Sequence, residues 1–208
     1  MEDKEMNNNA DVFIIFDLEY TWREDNPHFY EKEIIQFAAL KVDAYTLEVK
    51  DSISSFVKPT LDPIIPQCEI DFTGITQQKI DEHGIEFGDA YAKFKKFIGT
   101  TVCYSHGWSR ANTAIADGEI WNRGLEFNKI KDSYLIRYKN IADWFREQYA
   151  RFNIKIEKQS AGDIARLLGR DINIKKTGLS IHNALYDCYS ILEGLRFFKE
   201  KFNYQFIC

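Results

Sequence analysis

Five apolar residues in succession, Val12-Phe13-Ile14-Ile15-Phe16, run straight into Asp17-Leu18-Glu19-Tyr20-Thr21-Trp22. A strand with no polar face has to be covered on both sides, which places it in the middle of a sheet packed between helices. Asp17 and Glu19 are then expected at the polar end of that strand. Strand side chains alternate between faces, so residues two apart point the same way. In open α/β sheets the crevice beyond the carboxyl ends of the strands is where ligands bind. An isolated Asp-x-Glu is common, however, and a solvated turn after a strand would read the same way.

The remaining apolar pattern fits this frame. Ile34 to Val42 reads as a second strand, with Ile35, Phe37 and Ala39 on one face and Ile34, Ala38, Leu40 and Val42 on the other. Ser52 to Val57 completes a three-stranded meander across a turn at Asp43 to Glu48, and Pro59, Pro63 and Pro66 punctuate the loop that leaves it. A helix is predicted from near Thr76, a second over Phe87 to Ile98, and a fourth strand at Thr101 to Ser105. Ile141, Trp144, Phe145, Tyr149 and Phe152 recur at helical spacing, and Ala161 to Leu168 and Ile181 to Phe198 read as the last helices. Strands first, then strands alternating with helices, imply a mixed sheet packed by helices.

At 208 residues and 45% hydrophobic content, the chain is long enough to bury one full core. No linker divides it, so a single domain over 11–208 is expected, behind ten polar residues that read as disordered. A net charge of −5 argues against gripping duplex nucleic acid through a broad basic surface, but leaves room for a small cleft in which cations supply the positive charge. The cysteines show no paired spacing, which suggests reduced thiols in a cytoplasmic protein rather than a zinc site or a disulfide framework. No apolar run approaches the roughly 20 residues that span a bilayer.

Near the other end of the chain, His182 precedes Asp187 by five residues. Ile181, Ala184, Leu185, Cys188, Ile191, Leu192 and Leu195 form the buried stripe of the final helix, and Asp187 lies near its edge. On a regular helix the two side chains would stand about 140° apart, at 100° per residue. They converge only if His182 sits on the lead-in. Taken alone, Asp187 reads equally as a surface acid and His182 as a packed or surface histidine.

Together, Phe16-Asp17-Leu18-Glu19-Tyr20-Thr21 and His182-Asn183-Ala184-Leu185-Tyr186-Asp187 resemble the first and third motifs of the DEDDh 3′–5′ exonucleases, in particular the Eri-like and KapD-type branch. Glu33-Ile34-Ile35-Gln36-Phe37-Ala38-Ala39 and Phe72-Thr73-Gly74-Ile75-Thr76 sit at similar places in that branch. The resemblance spans about residues 12 to 199 and implies an RNase H-like mixed five-stranded sheet with helices on both faces. The second motif is the weakest match. Asp117 is assigned to it, because a hard cation prefers a carboxylate and because Ile120 and Trp121 can open a helix core behind it. Asn112 is the alternative, and Glu119 a further one.

What the resemblance implies is a metal-dependent nuclease acting from the 3′ end of single-stranded RNA or DNA. Asp17, Glu19, Asp117 and Asp187 would hold two Mg²⁺ or Mn²⁺ ions, with Asp17 bridging, and His182 would be the general base. The backbone of Leu18, Thr21 and Trp22 would hold the terminal 3′ hydroxyl. Trp22 and Trp108 lie beside motif carboxylates, where a ring could stack on an unpaired base, though each reads equally as a core or loop aromatic. Lys175 and Lys176 could meet phosphate or simply be a solvated face. A small exoribonuclease, a DNA exonuclease of the repair type and a non-catalytic binder on the same fold are the three readings carried forward. Relatives that pair also make a homodimer an open expectation, although no exposed apolar stripe demands one.

Overall fold

The computed structural model describes residues 12–21, 32–107, 117–131, 136–156, 159–172, 179–204 and 206. The expectations for the first ten residues, Trp22, Trp108, Asn112, Lys175 and Lys176 fall outside these. The described chain forms one five-stranded sheet in the order β3-β2-β1-β4-β5. The strands are β1 (Val12–Tyr20), β2 (Ile34–Asp43), β3 (Val49–Phe56), β4 (Cys103–Ser105) and β5 (Tyr138–Asn140). β1 pairs antiparallel with β2 and parallel with β4, so the sheet is mixed and its most apolar strand is central. The helices are α1 (Gln67–Thr73), α2 (Gln77–His83), α3 (Phe87–Ile98), α4 (Asp117–Phe127), α5 (Ile141–Arg151), α6 (Ile164–Leu167) and α7 (Ala184–Phe202). Among the described residues no helix is long and apolar enough to cross a membrane.

Each face of β1 has its own core, as the unbroken apolar run requires. Phe13 and Ile15 pack with Phe145 of α5 and with Cys188, Ile191 and Leu195 of α7. Ile14, Phe16 and Leu18 pack on the other side with Phe94 of α3 and Trp121 of α4. All of the side chains Phe13 to Phe16 are fully buried. At about 25 cal/mol per Å² of apolar surface, burial of such residues contributes roughly 1.5–3 kcal/mol each.

The structure departs from the sequence expectations in three places. β1 does not stop at Phe16 but runs on through Tyr20, so the two acids lie within the strand and not beyond it. A register shift between Glu19 and Tyr20 leaves Ile35 as an extra residue of β2, since Glu19 faces Gln36 and Tyr20 faces Ile34. That bulge flips the strand's start, so Ile34 joins the core of Phe37 and Ala39, while Ile35 packs with Ile65, Ile75 and Ile80. Finally, α1 forms within the proline-punctuated loop. Pro66 stands at its N-cap, and Gly74 ends it at φ 70°, a left-handed conformation that glycine adopts without penalty.

Candidate metal centre

The site lies where β1 outruns its parallel neighbour. β4 pairs only with Ile14 and Ile15, so beyond that point the β1 edge on the β4 side has no strand partner among the described residues. Asp17 and Glu19 project from this stretch on the same face as Phe13 and Ile15, toward α7. Asp187 meets them from the first turn of α7, and donor oxygens of Asp17, Glu19 and Asp187 all lie within 4.8 Å of one another. Asp117 opens α4, outside this tight trio, but its charge is among the chief influences on Asp17. The four acids are only 5–7% exposed.

Several contacts fix Asp187 and His182. Asn183 caps α7, its side-chain oxygen accepting from the backbone N–H of Leu185 at 3.1 Å and of Tyr186 at 3.4 Å. Gln36 of β2 accepts from the next free amide, Ala184, at 3.2 Å, and so ties the helix to the sheet. His182 therefore precedes the regular helix, which is the condition under which it can converge with Asp187. Its backbone lies in the left-handed region at φ 65°. Gly162, in the turn before α6, backs onto the Asp187 carboxylate. A Cβ there would sit 2.5 Å from Asp187 Oδ1.

The charges are poorly met by the protein itself. Burial pushes Asp17 well above the usual carboxylate range, and the charges of Asp117, Asp187 and Glu19 push the same way. Glu19 is raised by burial, then by Asp187, Glu69 and Asp117. Asp117 rises to about 8 through burial and Asp187, tempered by Ser105. Asp187 rises to about 7 through burial, with the backbone amides of His182 and Gly162 pulling the other way. Oδ2 of Asp117 and Oδ1 of Asp187 have no hydrogen-bond partner among the described residues. Buried carboxylates in this state are strongly disfavoured unless a cation neutralises them. An all-oxygen, all-carboxylate set fits a hard divalent ion such as Mg²⁺ or Mn²⁺.

The structure thus brings together Asp17, Glu19 and Asp187, with Asp117 beside them and His182 half-buried at the entrance to α7. Leu18 points the other way, into the core, so only its main chain can face a ligand. The Thr21 hydroxyl accepts from the Glu33 amide at 3.0 Å and the Thr21 amide donates to the Glu33 carbonyl at 2.8 Å, so both groups are engaged by Glu33. Glu119, two residues further into α4, is exposed and is not part of the cluster. Four residues near the site escaped the sequence reading as site residues. Gln36 and Gly162 act through long-range contacts with no local signature. Glu69 is buried on α1 and its charge reaches Glu19. Phe72, on the same helix, stacks its ring on His182. Both belong to the helix that the prolines concealed.

Comparison with known proteins gives a family and a fold. The exonuclease family RNase_T matches residues 14–195. A rat 3′–5′ exoribonuclease 1 is 31% identical over 146 residues, 68% of this chain but 41% of that protein. Its human counterpart is 35% identical over 71 residues and is covered over 20% of its length, so the chain matches less than half of these relatives. Among solved structures, the nuclease domain of 3′hExo, a DEDDh family member bound to rAMP, superposes with a TM-score of 0.70 at 20% identity, covering 94% of both chains. E. coli exonuclease I in complex with a dA16 oligonucleotide gives a TM-score of 0.67 at 17% identity, covering 91% of this chain and 41% of that one. Both likenesses show a shared fold, the RNase H-like exonuclease architecture.

Proposed function

This chain belongs to the RNase_T exonuclease family, in its DEDDh, Eri-like branch, and on that premise we propose that it removes nucleoside 5′-monophosphates from the 3′ end of single-stranded nucleic acid, RNA in preference to DNA. The supporting observation is the trio of Asp17, Glu19 and Asp187, buried, mutually repelling and within 4.8 Å of each other. The preference for RNA is supported by the curated relatives, which carry exoribonuclease names. We place the activity in the cytoplasm, in line with cysteines that lack a disulfide-like spacing.

Asp17, Glu19, Asp187 and Asp117 would hold the cations. When bound, two Mg²⁺ or Mn²⁺ ions supply Lewis-acid activation of water and charge neutralisation at the phosphate and the departing 3′ oxygen. His182 takes the proton of the attacking water. Burial lowers its pKa, an effect opposed by Asp163, so the imidazole is neutral and able to accept a proton at physiological pH. Water oxygen bonds to phosphorus, the bond to the 3′ oxygen breaks, and that oxygen leaves as a hydroxyl after protonation by solvent. Leu18, Thr21 and Trp22 receive the terminal ribose and so select an end; Leu18 lies in the stretch of β1 that β4 does not reach.

The test is degradation of 5′-labelled single-stranded RNA and of matched DNA, with Mn²⁺ or with EDTA, by wild type and Asp17→Asn. A ladder shortening from the 3′ end, faster on RNA and lost with EDTA and in the variant, is expected. Clean protein that shortens neither strand would sink the catalytic reading in favour of a binding protein. Faster loss of the DNA strand would overturn the sugar preference alone.

A further inference from the structure

α1 is a seven-residue helix whose inward side is taken by Glu69 and Thr73. Phe72 therefore turns outward and is 57% exposed, whereas most of the chain's large aromatic side chains are in the cores. Its cover is unusual. The ring centroids of Phe72 and His182 lie 3.8 Å apart with the planes inclined by 30°, a face-to-face stack.

His182 needs something to hold its ring. Its main chain is pinned: the amide lies against the Asp187 carboxylate, the next residue caps α7, and the Asn183 N–H returns to Ser180 O at 3.2 Å. The left-handed φ of 65° is a conformation that costs a non-glycine residue on the order of 1–3 kcal/mol and is found where the surroundings enforce it. That backbone sets where the Cα–Cβ bond points. It leaves the side-chain torsions of a half-buried imidazole to choose among staggered wells. A face contact with Phe72 selects among them, because only one ring plane lies flat on the phenyl. The stack engages the ring face and not the edge that carries both nitrogens.

We propose that Phe72 is the positioning residue for His182, holding the imidazole plane so that a ring nitrogen stays directed at the attacking water. The inference rests on the reading of His182 as proton acceptor. Proton transfer demands placement within hydrogen-bond reach, and a misplacement of about 1 Å can lower a rate by about a hundredfold. On this reading the effect of Phe72 passes through His182, the ring it stacks on.

A double-mutant cycle on a short RNA substrate separates this role from others. Phe72→Ala is expected to lower kcat about tenfold or more with KM little changed, while Phe72→Tyr, which keeps the ring, retains activity. The same Phe72→Ala change should cost nothing further in a His182→Gln background, because the two residues act as one unit. Phe72 is exposed and lies outside the buried cores, so the fold survives its truncation, and the rise in melting temperature on adding Mn²⁺ should be the same in wild type and Phe72→Ala. In NMR spectra the His182 ring protons should be displaced upfield by the phenyl ring current and return toward ordinary positions in Phe72→Ala. An equal loss in the His182→Gln background would overturn the proposal, assigning Phe72 to direct contact with the nucleotide. Unchanged kcat in Phe72→Ala would overturn it too. If His182→Gln itself kept full kcat, the proton-acceptor reading would fall and the positioning role with it, while the ring-current shift would still report whether the stack exists in solution.

Discussion

Two regions of this molecule bury carboxylates to the same degree and treat them in opposite ways. Glu33, just before β2, is 7% exposed, as Glu19 and Asp117 are. Its oxygens accept from Thr60 N at 2.6 Å, Thr60 Oγ1 at 2.8 Å, Leu61 N at 2.9 Å and Asp62 N at 2.9 Å. The loop after β3 is wrapped around that one charge. In the candidate metal centre the acids face each other, and two of their buried oxygens have no donor among the described residues. The difference separates a structural acid from a functional one. Where the protein supplies the counter-dipoles the acid is part of the scaffold, and where it withholds them the missing charge has to come from outside.

The sharpest way to break this contrast is to neutralise one acid on each side. Asp17→Asn changes a proposed cation ligand and should lower metal-dependent strand shortening on the order of 10³-fold, equivalent to several kcal/mol of transition-state stabilisation. It should also raise the melting temperature of the metal-free protein, since one of four repelling charges has gone. A variant melting lower than wild type in EDTA would show that the cluster is structurally satisfied after all. Glu33→Gln should do the reverse, losing about 2–3 kcal/mol of stability as charge-assisted bonds to the 60–62 loop weaken, with the Mn²⁺-induced rise in melting temperature kept. Denaturant melts with and without Mn²⁺ would show it.

Smaller effects sharpen the comparison further. Gly162→Ala presses a methyl group against Asp187 Oδ1 and should weaken Mn²⁺ binding about tenfold, as changes behind a metal ligand commonly do. Calorimetric titration that found wild-type affinity would mean that the turn before α6 yields easily. The mildest perturbation is pH. In the folded, metal-free protein Asp187 and Asp117 have pKa values raised to about 7 and about 8, against an ordinary value of 3.8. A raised carboxyl binds its proton more tightly folded than unfolded, so its contribution is fully present below the ordinary value and is lost as pH rises through 7 to 8. Melting temperature in EDTA should drift down across that window, at about 2–4 °C per kcal/mol for a chain of this size. Mn²⁺ should abolish the drift, and a flat profile in EDTA would contradict the repulsion.

Much of this was legible in the sequence, for physical reasons that differ by element. The central strand was readable because a run with no polar face admits one environment, and the meander because its strands are local neighbours. The trio of acids was reachable because strand alternation places Asp17 and Glu19 on one side, and because His182 could converge with Asp187 only from a lead-in. The rest depended on contacts between distant residues. Nothing around Ile34 and Ile35 announces the bulge that swaps their faces, since the slip is defined by pairing with β1. The three-residue β5 is too short to carry a period. α1 was hidden by the prolines around it, and with it Glu69 and Phe72. Pro66 and Gly74 are the signals that could have found it, as a proline before the first turn and a glycine after the last.

The left-handed backbone at His182 also bears on how such a site fares under random mutation. Glycine or asparagine would sit there more comfortably, and amides in place of the repelling acids would relax the pocket behind it. Losing the site is therefore downhill in folding free energy. A lineage released from the need to cut would be drawn toward abandoning it, one stabilising substitution at a time. The histidine and the acids stand together although amides there would repel less, the condition expected of residues kept for what they do and not for the fold.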